Sequence, residues 1–146
     1  KFVFFNNGLQ QNAFIPSKHI DILKNKTKDY TSIAEKFIGA PYKWGGKTFL
    51  GIDCSGLIQV CLEEHIPKMP RNSRDQEIIQ NVREYNKENL NRGDLVFWDS
   101  HVGIMQSKEN LIHANSFHMR VTSERLENAV NRIKEKYKQE PRMYRI

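Results

Sequence analysis

The chain has 146 residues and a formal net charge of +6 at pH 7, and 27% of its residues are charged against 38% hydrophobic. This length suits one domain with a short appendage and excludes a large multidomain protein, and the composition is that of a folded chain rather than a disordered one. The 23 lysines and arginines are scattered and form no basic stripe interleaved with aromatic residues, so nucleic acid is not an expected partner.

The first 28 residues differ in pattern from the rest. Short aromatic and apolar segments at 2–5 and 13–15 precede a polar run at 24–29. This pattern predicts the last strands of a small β module and a linker, with a domain boundary near Lys28. Because the chain starts with Lys1, we expect it to be part of a longer protein. No stretch approaches the ~20 apolar residues that span a bilayer.

A helix and an aromatic loop open the second segment, residues 29–146. Ser32 and Glu35 predict a capping box for a helix that ends at Gly39. The loop 41–46, with the sequence PYKWGG, combines two aromatic residues with two glycines that permit close backbone turns.

Two further helices are predicted next. Asp53 is the expected N-cap of the first of them, so that Cys54 is its first helical residue, and the helix is expected to last until Pro67. Ser73 and Gln76 predict a capping box for the other.

Strand-like periodicity begins after residue 94. The predicted elements are strands at 95–98, 101–106, 110–115 and 118–122, a helix at 124–137 and a strand at 142–146. Helices first and an antiparallel sheet afterwards predict the α+β class.

The chain has two cysteines, Cys54 and Cys61. On one helix they lie about two turns apart, roughly 10 Å, which is too far for a disulfide. No CxxC or HExxH spacing occurs, so neither a metal nor another cofactor is expected. A helix N-terminus stabilises a thiolate, which favours Cys54 as a nucleophile, whereas Cys61 falls in the apolar stripe of the helix.

A nucleophilic cysteine needs a base, and His101 is the candidate. If loop 107–109 joins two strands in a hairpin, His101 lies opposite Asn115, and His113 is its diagonal neighbour on the same face. This arrangement fits a triad of Cys54, His101 and His113, whereas an even-numbered loop would separate the histidines. On spacing alone, a packed thiol and a surface or core histidine are the more frequent explanations of such residues.

Six motifs decide between these readings: PYKWGG (41–46), GIDCSGLIQ (51–59), PRNSRDQ (70–76), GDLVFW (93–98), HVGIM (101–105) and LIHAN (111–115). In this order they resemble the signature of the NlpC-type cell-wall peptidase family. The resemblance implies a papain-like fold in which N-terminal helices pack on a central antiparallel sheet. It also implies that Cys54 is the nucleophile at a helix N-terminus, His101 the base and His113 the residue that orients the base.

The resemblance implies roles for three more residues. Tyr42 would assist the oxyanion hole, although packing beside Trp44 would also explain it. Asp53 and Ser55 would hold the free amine of an N-terminal L-alanine, although helix capping alone would explain Asp53. Residues 1–28 resemble the end of a bacterial SH3-like module.

The resemblance thus leads us to expect a cysteine peptidase that cuts murein stem peptides between γ-D-glutamate and a diamino acid, through a thioester on Cys54. Two alternatives stay open. An acyltransferase or amidase could use the same scaffold, and a non-catalytic wall-binding module would leave Cys54 unreactive. The sequence does not decide the diamino acid, the oligomeric state or the bacterial compartment: cleavage of released peptides points to the cytoplasm and cleavage of intact murein to the cell envelope.

Overall fold

The computed structural model describes residues 2–6, 12–16, 29–63, 65–79 and 89–145. In the leading segment, strands β1 (Phe2–Asn6) and β2 (Asn12–Pro16) pair antiparallel. The rings of Phe4 and Phe14 meet edge to face across this pair, with their centres 5.7 Å apart. Strands were expected in this segment, and its assignment to an SH3-like module with a boundary near Lys28 stays a prediction.

From residue 29 onward the elements are α1 (Thr31–Lys36), β3 (Lys47–Thr48), β4 (Gly51–Ile52), α2 (Cys54–Leu62), α3 (Ser73–Ile79), β5 (Leu95–Trp98), β6 (His101–Met105), β7 (Asn110–Asn115), β8 (Arg120–Arg125), α4 (Leu126–Tyr137) and β9 (Arg142–Tyr144). Five strands form one antiparallel sheet in the order β8-β7-β6-β5-β9. The predicted α+β class is confirmed.

Both faces of this sheet are buried. Along β5, Leu95 and Phe97 belong to the core that includes residues of α1 and α2, whereas Val96 and Trp98 belong to a second core under α4. Each fully buried large apolar side chain stabilises the fold by about 1.5–3 kcal/mol. The sheet is therefore the middle layer of three. Within the described ranges, no helix has the length and apolar character needed to cross a membrane.

Helix α2 begins where the sequence predicts. The Asp53 side chain accepts a hydrogen bond from the Gly56 N–H at 2.7 Å, which caps the helix, and Cys54 is its first residue. Leu57, Ile58, Cys61 and Leu62 are fully buried on its inner side. The helix ends at Leu62, earlier than predicted, and the Ile66 N–H then turns back to the Leu62 carbonyl.

The predicted capping box of α1 is wrong. Tyr30 is the N-cap and makes no side-chain cap, while the Ser32 hydroxyl donates to the Asp29 carbonyl. Glu35 pairs with Arg92 at 2.7 Å. A charged tertiary partner thus replaces the local one, because a hydrogen bond between two charged groups is stronger than one to a backbone N–H.

The predicted capping box of α3 fails for a similar reason. The Gln76 side-chain amide donates to the carbonyls of Ser55 and Pro70, at 2.8 Å each. Gln76 is fully buried, so these bonds satisfy the donors of an amide nitrogen that has no access to water, whereas its Oε1 has no hydrogen-bond partner among the described residues. They tie α3 to the start of α2.

The boundary between β8 and α4 also differs from the prediction. The expected strand 118–122 lies at Arg120–Arg125, and the helix starts at Leu126 instead of 124. The reason is the ladder with β7, which runs unbroken from Asn115↔Arg120 to Asn110↔Arg125. As a result, Glu124 belongs to a strand.

Candidate active site

The two candidate histidines meet as the sequence predicts. Met105 pairs with Leu111, and the Gln106 N–H donates to the Asn110 carbonyl at 2.8 Å, so the predicted three-residue loop and register are confirmed. His101 and His113 therefore lie on one face, and His101 Nε2 is 2.8 Å from His113 Nδ1.

Cys54 lies beside the start of β6. Its side chain is buried close to the backbone N–H of Val102, the residue that follows His101. Burial raises the pKa of the Cys54 thiol, the Val102 N–H opposes this, and the negative charge of Asp53 adds to it. The resting group is therefore a thiol.

Both histidines are neutral near pH 7. Burial lowers the pKa of His101 to about 3, the neighbouring His113 and the Arg132 guanidinium act in the same direction, and the Glu124 carboxylate acts against them. The pKa of His113 is also lowered, first by burial, although its bond to Glu124 acts against this. A neutral imidazole can accept a proton, so His101 is available as a base over the physiological range.

The carboxylate of Glu124, which was not predicted from the sequence, extends the hydrogen-bonded row that begins with His101 and His113. Glu124 Oε1 is 2.7 Å from His113 Nε2, and Arg132 donates to both Glu124 oxygens. Burial acts to raise the pKa of Glu124, but the hydrogen bonds from His113 and Arg132 lower it to about 2. The sequence pattern predicts a helix that starts at Glu124, and for this reason it does not place Glu124 beside His113. The alternation along a longer β8 would have placed it on the face of His113.

A second carboxylate, Asp53, lies on the other side of Cys54. Its two oxygens accept from the Gly45 and Gly56 N–H groups, at 2.7 Å each, and from both terminal nitrogens of Arg71, at 2.8 and 2.6 Å. Burial acts to raise its pKa, but these bonds lower it overall. Ser55 Oγ accepts from Arg71 at 3.0 Å. In this cluster the negative charge of Asp53 is offset by the positive charge of Arg71.

Glycines permit this close arrangement. Gly45 has a φ of +77°, a conformation that side chains disfavour, and it aims its N–H at Asp53. A Cβ on Gly56 would overlap the Gly46 carbonyl oxygen. Loop 41–46 therefore packs directly on the first turn of α2.

Tyr42 is half-buried next to this turn. Its N–H donates to the Met119 carbonyl at 2.9 Å. Burial raises the pKa of its hydroxyl, as do the charges of Cys54 and Asp53. The phenol therefore stays protonated and able to donate near Cys54.

An open cleft of about 360 Å³ adjoins the cysteine. Its lining includes Trp44, Cys54, Ser55, Arg71, Arg74 and Asp99. The Trp44 side chain is 80% exposed. A polar ligand of peptide size has room to approach Cys54 here.

One group has the geometry of metal ligands: atoms of His113, His118 and Glu124 lie within 4.8 Å of one another. Both ring nitrogens of His113 already have protein partners, and Arg132 is paired with Glu124. A cation would have to displace these bonds and approach a guanidinium, which opposes binding.

A buried thiol at a helix N-terminus, beside a histidine oriented by a second polar group, is the arrangement of a cysteine-nucleophile enzyme. The model of the NlpC/P60 family matches residues 39–142, so the chain belongs to that family. All the site residues named above lie within the matched span.

Two relatives are similar to this chain over part of their length. A probable endopeptidase NlpC homolog of Haemophilus influenzae is 34% identical over 92 residues, covering 61% of this chain and 49% of that protein. A gamma-D-glutamyl-L-lysine dipeptidyl-peptidase of Bacillus cereus is 31% identical over 102 residues, covering 64% of this chain and 30% of that protein. This chain thus spans half or less of each of these proteins.

Solved structures share the fold. An NlpC/P60 family protein from Bacillus cereus matches with a TM-score of 0.64 and 29% identity, covering 90% of this chain and 43% of that one. RipD from Mycobacterium tuberculosis, described as a non-catalytic NlpC/p60 domain protein adapted to peptidoglycan binding, matches with a TM-score of 0.62 at 18% identity, covering 81% and 95%. The helices on a five-stranded antiparallel sheet are those of this family's domain.

Proposed function

We propose that this protein is a cysteine peptidase that hydrolyses the γ-D-glutamyl–diamino acid bond of murein stem peptides. The observation that carries the proposal is the convergence of Cys54, at the N-terminus of α2, with the hydrogen-bonded pair His101 and His113. The name of the Bacillus cereus relative supports the choice of bond.

The proposed reaction has two halves. His101 takes the proton from Cys54 as the sulfur attacks the carbonyl carbon, and N–H groups of the first turn of α2, together with the Tyr42 hydroxyl, stabilise the oxyanion. The proton passes from His101 to the leaving amine, which departs and leaves a thioester. Water, activated by His101, then hydrolyses the thioester and restores the thiol.

The amine end of the substrate is proposed to lie at Asp53 and Ser55, which line the cleft with Cys54. Asp53 already accepts five hydrogen bonds, one of them from the Ser55 hydroxyl at 3.4 Å. A free amine would therefore share this carboxylate with Arg71 instead of finding an unused oxygen. The adjoining Ser55 hydroxyl offers a further acceptor.

The test is incubation with L-Ala-γ-D-Glu-diaminopimelate and with its L-lysine counterpart, followed by mass spectrometry. We expect the wild type to release L-Ala-γ-D-Glu and Cys54→Ala to release none. The matched control is Cys61→Ala, since Cys61 is a second buried cysteine outside the proposed site, and it should remain active. Acetylation of the L-alanine amine should abolish cleavage if the amine is recognised.

Other outcomes would contradict the proposal. If the wild type consumes the peptides but transfers their L-Ala-γ-D-Glu group to added glycinamide in preference to water, with release of the diamino acid, the protein is an acyltransferase on this scaffold. If it leaves both peptides intact and Cys54 resists iodoacetamide, a wall-binding module is the better description.

A further inference from the structure

The hydrogen-bonded row that runs from Arg132 to His101 has a defined direction. Glu124 is ionised above its pKa of about 2, and an ionised carboxylate only accepts hydrogen bonds. At 2.7 Å from Glu124 Oε1, His113 Nε2 must therefore carry the proton. The position of one proton is thus determined by a carboxylate.

The second histidine follows from the first. His113 is neutral, so with Nε2 protonated its Nδ1 is an acceptor. His101 Nε2, 2.8 Å away, must then donate to it. A neutral His101 with a proton on Nε2 has its free lone pair on Nδ1. That nitrogen remains for the thiol of Cys54, which lies close to the backbone N–H of Val102, the residue after His101.

We infer that Glu124, clamped by Arg132, is a positioning residue that sets the tautomers of His113 and His101 and so keeps the basic nitrogen of His101 for Cys54. The effect on turnover rests on the proposed peptidase function. The effect on the thiol does not, because it concerns only the proton shared by Cys54 and His101.

The contacts of Arg132 hold the Glu124 carboxylate in one orientation. Arg132 donates to both oxygens of Glu124, whose side chain is only 11% exposed. The Phe117 ring covers the guanidinium, with 4.4 Å between the ring centre and the Arg132 carbon. A carboxylate held from both oxygens cannot rotate away from His113.

Glu124 also acts through its charge. When Cys54 loses its proton to His101 Nδ1, a positive charge forms on the histidine pair and a negative charge on sulfur. The Glu124 carboxylate stabilises the positive charge through His113 and itself takes no proton, as the aspartate of a serine protease triad does.

The experiment compares Glu124→Ala and Glu124→Gln in a Cys61→Ala background, in which Cys54 is the only thiol. Alanine removes the acceptor and the charge, whereas glutamine keeps an acceptor oxygen without the charge. Glu109→Gln is the matched control, because Glu109 pairs with Arg125 at 3.4 Å on an exposed surface. The first readout is the rate of Cys54 alkylation by iodoacetamide as a function of pH.

We expect Glu124→Ala to slow alkylation near pH 7 by roughly 10- to 100-fold, by analogy with the loss of partners that orient metal-bound histidines. Glu124→Gln should have a smaller effect, and Glu109→Gln none. The rates should converge at the alkaline end, where the thiol ionises without help from His101. On the tripeptide, kcat should fall in parallel with KM little changed.

The second readout is the ¹⁵N NMR spectrum of the histidine rings. In the wild type, we expect protons on Nε2 of both His101 and His113. In Glu124→Ala, a population with the proton on Nδ1 should appear at both. Assignment uses the loss of signals in His113→Asn.

The inference is overturned if Glu124→Gln, which preserves the shape of the site, leaves both the alkylation profile and the ring tautomers unchanged. It is also overturned if Glu124→Ala slows alkylation equally at every pH, since that result indicates only a structural role. If Glu124→Ala does not fold, the glutamine variant decides. A wild type that fails to cut the tripeptide but shows the Glu124-dependent profile would refute the proposed function and support this inference.

Discussion

Two carboxylate–arginine pairs flank the candidate nucleophile, and they differ in their third partner. Asp53 and Glu124 each receive both terminal nitrogens of one arginine, Arg71 or Arg132. Asp53 gives its remaining capacity to backbone N–H groups of loop 41–46 and α2. Glu124 gives it to the ring of His113. The Asp53–Arg71 pair therefore fixes backbone segments, whereas the Glu124–Arg132 pair fixes the position of a proton on His113.

This comparison separates stability from reactivity. Bonds from Asp53 join segments that are distant along the chain, so their loss should destabilise the fold. Bonds from Glu124 end on a titratable ring, so their loss should change the behaviour of Cys54. Each pair can be broken singly to test this division.

The largest expected effect on stability comes from Arg71→Met. The change leaves Asp53, whose side chain is 8% exposed, with two backbone donors, the Ser55 hydroxyl and no cation. Breaking a buried pair costs about 3–5 kcal/mol, and because Arg71 is itself one-third exposed we expect about 2–3 kcal/mol in the free energy of unfolding. Urea denaturation followed by circular dichroism measures it.

The control for that variant is Arg125→Met. Its pair with Glu109 is more than half exposed on both sides, so the expected loss is under about 1 kcal/mol. Equal losses in the two variants would show that the Asp53 pair has no special structural role.

Acid should remove the stability that depends on His101 and the stability that depends on Asp53 in different pH ranges. The pKa of His101 is lowered from 6.5 to about 3, so the unfolded chain binds a proton that the folded chain does not. Stability present above pH 6.5 is therefore lost as pH falls toward 3. Asp53 has a pKa lowered from 3.8, so its contribution is lost only below that value. As pH falls, the contribution of His101 to stability should therefore be lost before that of Asp53.

Two variants test this order in unfolding experiments between pH 7 and 3. His101→Asn should flatten the loss of stability above pH 3.8, whereas Asp53→Asn should flatten it below. If wild-type stability is constant between pH 6.5 and 3.8, the histidine is not held neutral by the fold.

The smallest expected effect is that of Phe117→Ala. An exposed cation–π contact contributes about 0.5–1 kcal/mol, and Arg132 keeps both of its bonds to Glu124. We expect a loss of stability within that range and a change in the Cys54 alkylation rate of less than about twofold. Tyr137→Ala, which removes the contact with Lys136 at 5.2 Å, should match the loss in stability without any change in alkylation. A large drop in alkylation for Phe117→Ala alone would show that the ring, and not the carboxylate, holds Arg132.

Local patterns predicted a large part of this structure. Asp53 before an apolar stripe indicated the start of α2, because an N-cap depends on residues within one turn. A three-residue loop between two strands determined the shared face of His101 and His113, since alternation along strands is a backbone property. Both capping boxes failed where a glutamate or glutamine found a partner far along the chain.

Local sequence patterns were enough to predict the α+β order of elements, the position of Cys54 at a helix N-terminus and the pairing of two histidines. The extension of β8 to Arg125, which brings Glu124 to His113 and Arg132 to Glu124, depends on contacts between distant segments. The physical reason is that strand ends depend on the neighbouring strand and ion pairs on distant side chains. Neither is encoded within a few residues of the position concerned.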